Sequence, residues 1–404
     1  MGERHRQRPN AVQSLPLPDA VLAVAYQYLR PAALGRLAAA GSDTRVEAVL
    51  RLLHHFRTSA GETWMEAHAW SQYGPVEGAL AVMGEHLLVL DRHGYPQRSD
   101  RRAIAFAAVP TPCRMRQVAA LGGRHWLLLD MKGTVWCGGA TGGLAPLAGA
   151  PAAVRSLAAS TTHCLLLAAG GEVWSGAVPP AGTRPCTPGV HWSRRNTSPA
   201  LGRRRSGGGL QRVGGLPPVR QVAAGVHVSF FLDVEGRVWS CGSDQDRQLL
   251  HAQAAGIAVL DPVPVPAPVD SPAVQLAAVA GNVATVHLDG TLCCGGRHRP
   301  QTDRLYVCLQ HAAEVAVSES HTVVRMKDGS VYTGGVDPHD GKLCTRGWYA
   351  SIILRLAPGL PVKRVAACTL GPGEAFTLLL RASGGAELWG GGFRRCSEVP
   401  VLPH

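Results

Sequence analysis

The chain has 404 residues, of which 40 are Lys or Arg and 28 are Asp or Glu, so its formal net charge at neutral pH is +12. Glycine supplies 48 residues, about 12% against a usual content of about 7%, and this abundance is typical of many short strands joined by tight turns. Because no run of 18 or more apolar residues occurs, the sequence excludes a transmembrane helix, and we expect no membrane contact.

The eleven cysteines are scattered along the chain, and none forms a Cys-x-x-Cys pair. Cys293 and Cys294 are adjacent, which is not a spacing that suits two ligands of one metal ion. We therefore expect free, mostly buried thiols in a reducing compartment, which indicates the nucleus or the cytoplasm.

The first segment, residues 1–14, carries several Arg and is not followed by the apolar run of a secretory signal, so we expect a disordered basic tail. The next segment, residues 15–72, has apolar residues at helical spacing in three runs. Pro31 stands where a second helix would begin. These patterns predict a small all-α module.

Three phrases within this module are similar to the F-box: Leu17-Pro18-Asp19, Tyr28-Leu29-Arg30-Pro31 and Leu34-Gly35-Arg36-Leu37. The resemblance implies that the module docks a Skp-type linker subunit of a cullin-type ubiquitin ligase. The alternative is a helical cap on the domain that follows, because Ala20 stands where the F-box usually has Glu and its Val-Cys-Lys-x-Trp ending is absent. The docking residues that the resemblance implies are Leu17, Pro18, Asp19, Leu22, Leu29, Pro31, Leu34 and Leu37.

A short pattern recurs between residue 76 and residue 404. In it, a β-branched or Leu residue and two small residues precede a His, and a Gly follows the His at a distance of eight residues. The four full copies contain the pairs His86 and Gly94, His125 and Gly133, His163 and Gly171, and His321 and Gly329. Three copies without the His lead to Gly236, Gly290 and Gly385.

Each copy indicates two strands joined by a tight turn. Asp-Gly, Lys-Gly and Glu-Gly steps are typical of hairpins, and a short strand with Trp or Tyr follows several of them, as in Val135-Trp136. Because one such unit cannot bury both of its faces, the units must pack on one another, and a ring lets every unit do so. The sequence therefore predicts an all-β, seven-bladed β-propeller over residues 76–404. We expect it to be closed between its two ends, the first strands completing the last blade.

These copies resemble the regulator-of-chromosome-condensation repeat, in which Val-Ala-x-Gly-x-x-His is followed by Asp-Gly-x-Val-Tyr/Trp-x-x-Gly. The resemblance covers residues 76–404 and implies a propeller that binds other macromolecules. Some members of this family are exchange factors for Ran-like small GTPases and press loops against the nucleotide site. No residue of this chain can be matched to that role.

We interpret the recurring His residues as hydrogen-bond anchors between strands, since each stands at the same place of its repeat. The Trp and Tyr residues that follow the turns are interpreted as packing elements between blades. No Gly-x-Ser-x-Gly elbow, His-Glu-x-x-His pair or phosphate-binding loop occurs, so we expect no enzymatic activity, no cofactor and no metal site.

Residues 177–218 form a long insertion, rich in Pro, Gly and Ser, between the third and fourth copies of the repeat. From Val173 to Leu232 the chain contains eight Arg and no Asp or Glu. We expect a mobile basic loop that acts as a nuclear-import signal or binds the phosphates of nucleic acid, the alternative being a solvated loop without a function. The residues assigned to this role are Arg184, Arg194, Arg195, Arg203, Arg204, Arg205 and Arg212.

The sequence thus leads to the hypothesis of a non-enzymatic protein-interaction propeller. In the main form of this hypothesis it is an adaptor or substrate receptor of a cullin-type ubiquitin ligase, whose helices dock the ligase and whose propeller binds the target. One alternative is a chromatin-associated guanine-nucleotide exchange factor for a Ran-like GTPase, and another is a structural subunit of a ribonucleoprotein or organellar complex. We expect protein partners, a monomer within a larger complex, and a location in the nucleus, the cytoplasm or both.

Overall fold

Short antiparallel strands, paired in groups of four, make up the fold. The structure is a computed structural model, and it describes residues 80–83, 86–90, 94–100, 106–121, 125–139, 143–177, 200, 202, 209–244, 248–251, 258–279, 282–296, 305–319, 321–335, 354–355, 362–371, 374–381, 386–390 and 397–398. All of them belong to one compact unit of the chain, residues 73–404. Within these ranges, no helix has the length and apolar character needed to cross a membrane.

The described residues form seven four-stranded sheets, which we number in chain order. The first sheet contains β1 (Leu80–Met83), β2 (His86–Leu90), β3 (Pro96–Asp100) and β4 (Phe106–Ala108). The second contains β5 (Met115–Leu121), β6 (His125–Asp130), β7 (Val135–Gly139) and β8 (Ala145–Pro146). The third contains β9 (Val154–Ala159), β10 (His163–Ala168), β11 (Val173–Ala177) and β12 (Gln211–Arg212).

The remaining sheets repeat this plan. The fourth contains β13 (Val219–Ala224), β14 (Val228–Asp233), β15 (Val238–Gly242) and β16 (Val259–Pro264). The fifth contains β17 (Ala273–Val279), β18 (Asn282–His287), β19 (Leu292–Gly296) and β20 (Tyr306–Leu309). The sixth contains β21 (Ala312–Val317), β22 (His321–Met326), β23 (Val331–Gly335) and β24 (Leu354–Arg355), and the seventh contains β25 (Val362–Gly371), β26 (Glu374–Arg381), β27 (Ala386–Gly390) and β28 (Ser397–Glu398).

Each of these sheets is built from four consecutive strands. This differs from the sequence-based expectation of a last blade completed by the first strands of the domain. The seventh sheet has its own fourth strand in β28, and the first sheet gains β3 and β4 from a stretch that has no apolar alternation. Neither sheet therefore needs a strand from the other end of the chain.

The first strand of each sheet, which we call its inner strand, lies beside the inner strand of the next sheet. This neighbour relation runs from β1 through β5, β9, β13, β17 and β21 to β25. Strand β25 in turn lies beside β1. Repeated four-stranded antiparallel sheets whose inner strands are neighbours are the architecture of a β-propeller.

The hydrophobic core lies between neighbouring sheets. In β10 all six residues are buried, and successive side chains point to opposite sides of the sheet. Leu166 packs with Leu127 and Leu157 between the second and third sheets, whereas Leu165 packs with Phe231 between the third and fourth. Strands buried on both faces explain why the apolar runs are continuous rather than alternating.

Hydrogen bonds at the glycine turns join each sheet to the next. Six of the predicted turn glycines have φ between 81° and 94°, a region that favours Gly, and Gly385 lies outside the described residues. The carbonyl of each accepts a hydrogen bond from the first residue of the next inner strand, for example from Val154 to Gly133 at 2.9 Å. The six bonds run from Met115–Gly94 through Val154–Gly133, Val219–Gly171, Ala273–Gly236 and Ala312–Gly290 to Val362–Gly329.

Candidate binding face

The Gly turns and the starts of the inner strands lie at the same end of the sheets. In the second sheet Met115, which begins β5, pairs with Asp130, which begins the turn at Gly133. The fourth sheet has the same arrangement, with Val219 opposite Asp233. We call this end the turn face.

A buried carboxylate braces the turn of the second sheet. Asp130 accepts hydrogen bonds from the backbone N–H groups of Lys132 at 2.9 Å and Thr134 at 2.8 Å, and from the indole N–H of Trp136 at 3.0 Å. These bonds explain the Asp-x-x-Gly-x-Val-Trp spacing, since the carboxylate satisfies the turn backbone and orients the Trp at once.

The fourth sheet repeats this turn with an added cation. Asp233 accepts hydrogen bonds from the backbone of Glu235 and from the indole of Trp239, and it forms a 2.8 Å ion pair with Arg237, whose guanidinium lies 5.8 Å from the Trp239 ring centroid. Burial opposes the charged form of Asp233, but the hydrogen bonds from Trp239 and Arg237 outweigh burial and lower the pKa of this carboxyl. The turn is thus a rigid element.

Large apolar side chains are exposed on this face. Val234, on the turn of the fourth sheet, is 56% exposed, and Leu288, at the equivalent position of the fifth sheet, is 67% exposed. Their backbone N–H groups donate to the carbonyls of Pro218 and Pro272, so both residues lie beside the start of an inner strand. An apolar surface that neighbouring turns expose is a feature of protein-binding sites.

A β-bulge interrupts each described inner strand at its second residue, from the second sheet to the seventh. In the second sheet, for instance, Met115 pairs with Asp130 and Gln117 with Leu129, which leaves Arg116 unpaired between them. A bulge redirects the side chain at the extra residue. In chain order the bulge residues are Arg116, Arg155, Arg220, Val274, Ala313 and Lys363.

Glutamine side chains bridge neighbouring sheets directly after three of these bulges. Gln117 donates to the carbonyl of Leu157 at 2.6 Å and accepts from its N–H at 2.9 Å. Gln221 bonds Leu276 in the same two ways. This role was not predicted from the sequence, although the repeated phrase Arg-Gln-Val-Ala-Ala at 116–120 and 220–224 carries the signal.

Gln275 forms the third bridge. It bonds both backbone groups of Val315 on the sixth sheet, at 3.0 and 2.8 Å. One amide side chain, which offers both a donor and an acceptor, thus replaces a step of strand pairing between two separate sheets.

The prediction that the recurring His are hydrogen-bond anchors is confirmed for His163 and His321. Both are fully buried, and both ring nitrogens of each are bonded. His163 reaches Ser229 on the fourth sheet, and His321 reaches Thr377 on the seventh, at 2.9 Å. Asn282, which replaces the His in the fifth sheet, donates to the backbone of the sixth.

The prediction that the Trp and Tyr residues pack between blades is also confirmed for several of them. Trp174 packs against the core between the second and third sheets, Trp239 between the third and fourth, and Tyr332 between the fifth and sixth. Trp389 belongs to β27, but its side chain lies outside the described residues.

The docking residues implied by the F-box resemblance, from Leu17 to Leu37, lie outside the described residues, as do Arg184, Arg194, Arg195 and Arg203 to Arg205. Of the assigned loop residues, Arg212 is described, and it is exposed on β12 opposite Trp174. The C-terminal end of the insertion therefore differs from the expected mobile loop. This end of the insertion contains β12, which pairs with β11 through its backbone and is the outer strand of the third sheet.

Arg220, one of the eight arginines of the acid-free stretch, belongs to the propeller. It lies on β13 and is half-buried, and its Nη2 atom donates to the carbonyl of Ala273 on the fifth sheet. The absence of acidic residues around it in the sequence is thus not evidence of a loop, because its partner is a backbone carbonyl.

The described cysteines are unbridged, and four of the seven are buried. Burial raises the pKa of Cys293 to about 12, with a smaller contribution from Cys308, so its thiol is unreactive. In the part of the chain that the structure describes, no group of three His, Cys, Asp or Glu side chains could hold a metal ion.

No protein-family model and no curated protein matches the sequence. Among solved structures, human WBSCR16 is similar, with 18% identity, a TM-score of 0.57, and coverage of 72% of this chain and 81% of that one. Prp20p from Saccharomyces cerevisiae has 16% identity, a TM-score of 0.57, and coverage of 74% and 81%. The CRINKLY WD40 ectodomain of the Arabidopsis thaliana receptor kinase ACR4 has 13% identity, a TM-score of 0.50, and coverage of 80% and 98%.

At these identities the likeness shows the fold alone. The described chain folds as a propeller like those of WBSCR16 and Prp20p, which confirms the fold that the regulator-of-chromosome-condensation resemblance implied.

Proposed function

We propose that this protein is a non-enzymatic, protein-binding propeller, a closed ring of seven blades that binds its partner through the turn face. The seven described sheets and the position of β1 beside β25 support the closed ring. In a closed ring every blade packs against two neighbours, so the turn face is a stable platform.

The exposure of Val234 and Leu288 at equivalent turns of neighbouring sheets is the observation that carries the binding function. Each side chain stands on a turn whose backbone is hydrogen-bonded to the next inner strand, so little conformational entropy is lost when a partner covers it. Covering these apolar side chains then gives a favourable hydrophobic contribution to binding.

A double variant tests this function. Val234→Asp with Leu288→Asp should weaken the complex with the protein partner at least about tenfold, since each change places a charge in an apolar contact. Val307→Asp is the matched control, because Val307 is 52% exposed on the outer strand β20. Candidate partners to be titrated by surface plasmon resonance are a Ran-like GTPase, core histones and a Skp-type linker. Equal affinity of the double variant and the control for a bound partner would show that binding lies elsewhere.

Exchange activity toward a Ran-like GTPase is the second candidate function. It is favoured by the likeness to Prp20p, a structure reported together with the binding of that protein to Gsp1p and histones. Release of a fluorescent GDP analogue from the GTPase, measured with and without this protein, tests it directly. An unchanged release rate at saturating protein would rule out exchange and leave binding alone.

The ligase-adaptor hypothesis receives no support from these likenesses. It rests on the F-box-like segment, which lies outside the described residues. We also propose a nuclear location. The likeness to Prp20p favours it, because that protein is reported to bind histones.

A further inference from the structure

Three of the bulge residues are arginines on consecutive inner strands of the turn face: Arg116 on β5, Arg155 on β9 and Arg220 on β13. The Nη2 atom of Arg116 donates to the carbonyl of Val154, the residue before Arg155, at 2.6 Å. Arg220 donates in the same way to Ala273. The guanidinium groups of Arg116 and Arg220 are therefore each held in place by the neighbouring sheet.

The middle guanidinium is differently placed. Arg155 is exposed, and it forms no hydrogen bond or ion pair with any other residue that the structure describes. Its planar set of N–H donors is thus available, beside a neighbour that is already fixed in orientation.

Nearby carboxylates do not neutralise this group directly. Asp130 and Asp233 are each occupied by the backbone of their own turn and by a Trp indole. Within the described ranges neither forms an ion pair with Arg116, Arg155 or Arg220. The Nε atoms of Arg116 and Arg220 are buried and have no hydrogen-bond partner there.

The electrostatics of the three arginines favour an anion. Burial lowers the pKa of Arg116, Asp130 opposes this effect, and the charge of Arg155 adds to it. Burial and the charge of Arg155 likewise lower the pKa of Arg220, and Asp233 opposes this effect. A bound anion relieves the repulsion of Arg155 with Arg116 and with Arg220.

Apolar side chains continue this surface on the next sheet. Val274, the bulge residue that follows Arg220 in the series, is 38% exposed. Its neighbour Ala273 accepts the hydrogen bond from Arg220, so the basic and apolar residues adjoin. Val234 and Leu288 flank the same strand starts. A mixed surface of this kind fits a polypeptide better than a phosphate group, since phosphate has no apolar part to bury.

We propose that Arg116, Arg155 and Arg220 form a binding site for an acidic segment of a protein partner, whose carboxylates pair with Arg155 while its apolar residues cover Val274 and Leu288. The inference rests on the proposed function, to which it adds the chemistry of the partner. Arg155 makes the direct contact because a guanidinium pairs with a carboxylate through two parallel hydrogen bonds. Arg116 and Arg220 supply positive potential and hold the first residues of the next inner strands.

The test uses the full chain and a short fluorescein-labelled peptide in which Glu and Leu alternate with Ser spacers. Fluorescence anisotropy should detect binding of this peptide. The same peptide with Gln in place of Glu should bind at least about tenfold more weakly, because it lacks the charge-assisted contact. Arg155→Gln should weaken binding of the Glu peptide about tenfold, and Arg155→Glu should abolish it. Arg212→Gln removes the same charge from the outer strand of the same sheet, and it should leave the affinity unchanged.

The following results would overturn the proposal. Equal losses for Arg155→Gln and Arg212→Gln would show that only net charge matters. If tripolyphosphate binds as tightly as the Glu and Leu peptide, the site binds small anions and not an acidic protein segment. If a peptide with Ser in place of Leu binds as tightly, Val274 and Leu288 take no part in binding. If the peptide does not bind although a protein partner still binds in a way that depends on Val234 and Leu288, this inference fails and the proposed function stands.

Discussion

The Nε2 atom of His163 on β10 lies 2.7 Å from the Oγ atom of Ser229 on β14, and this bond joins the third sheet to the fourth. Ser229 donates its own proton to the carbonyl of Ala200, so it must accept the bond from His163. Burial lowers the pKa of His163 to about 3, so the ring is neutral at pH 7. In the neutral ring Nδ1 is the acceptor, and the hydroxyls of Thr162 and Ser160 lie 3.0 and 3.2 Å from it. Both ring nitrogens therefore have partners in the core.

The first prediction concerns pH. Burial, and secondarily the charge of His227, lowers the pKa of His163 to about 3, so below its ordinary value of about 6.5 the unfolded chain binds a proton that the folded chain does not. The stabilising contribution of His163 is present above pH 6.5 and is lost as the pH falls toward about 3. His163→Asn should lower the free energy of unfolding at pH 7 by about 1–2 kcal/mol, yet flatten its pH dependence in this window.

Urea unfolding at a series of pH values measures this effect. His311→Asn is the matched control, because His311 is exposed, and its pH profile should follow that of the wild type. Parallel profiles for wild type and His163→Asn would contradict the prediction.

The second prediction concerns the glutamine bridges. Gln221→Ala should lower the free energy of unfolding by about 2–4 kcal/mol, because it leaves the N–H and the carbonyl of Leu276 without their partner in the core. Gln211→Ala, on the outer strand β12, should change it by less than about 0.5 kcal/mol. Denaturant unfolding of both variants measures the difference, and similar stabilities would mean that the bridge contributes nothing.

The third prediction concerns the turn glycines. Gly236 has φ of +87°, and an added Cβ would lie 2.5 Å from the Cβ of Pro272 and 2.9 Å from the carbonyl oxygen of Ala273. Gly236→Ala should therefore destabilise the fold by more than about 2 kcal/mol, through backbone strain and the loss of the bond to the fifth sheet. Gly214→Ala meets no atom within 4 Å and should be nearly neutral. Thermal unfolding compares the two, and equal melting temperatures would refute the role given to Gly236.

The fourth prediction concerns the basic insertion. If its arginines bind nucleic acid, replacing Arg194, Arg195 and Arg203 to Arg205 with Ser should weaken binding to duplex DNA and make the slope of log affinity against log salt shallower by about 0.9 for each lost phosphate contact. Arg155→Gln should not change this slope, because its proposed ligand is a protein segment. An unchanged slope in the Ser variant would show that the insertion is a spacer.

Local sequence was enough to predict the repeated unit. Gly133 and Gly236 stand at turns because the chain there needs a positive φ, and the Asp and Trp residues around them mark strands that pair with their nearest neighbours in the sequence. Such short-range constraints act within one hairpin and leave a regular spacing in the sequence. The His anchors were predictable for the same reason, since His163 and His321 stand at a fixed distance before the turn Gly.

Contacts between sheets were decided only by the tertiary structure. The partners of Gln117 and Gln221 are backbone groups 40 and 55 residues away, and a backbone group leaves no trace in the sequence. Arg212 and Arg220 likewise lie in the same acid-free stretch, yet Arg212 is an exposed outer-strand residue and Arg220 bonds the next sheet.

The short strands β3 and β4 could not be predicted either, because their residues adopt the strand conformation only when they pair with a neighbouring strand. The unit was thus written in local sequence. Which side chains brace the neighbouring sheets, and which guanidinium is left exposed on the turn face, depends on the packing of segments that are distant in the chain.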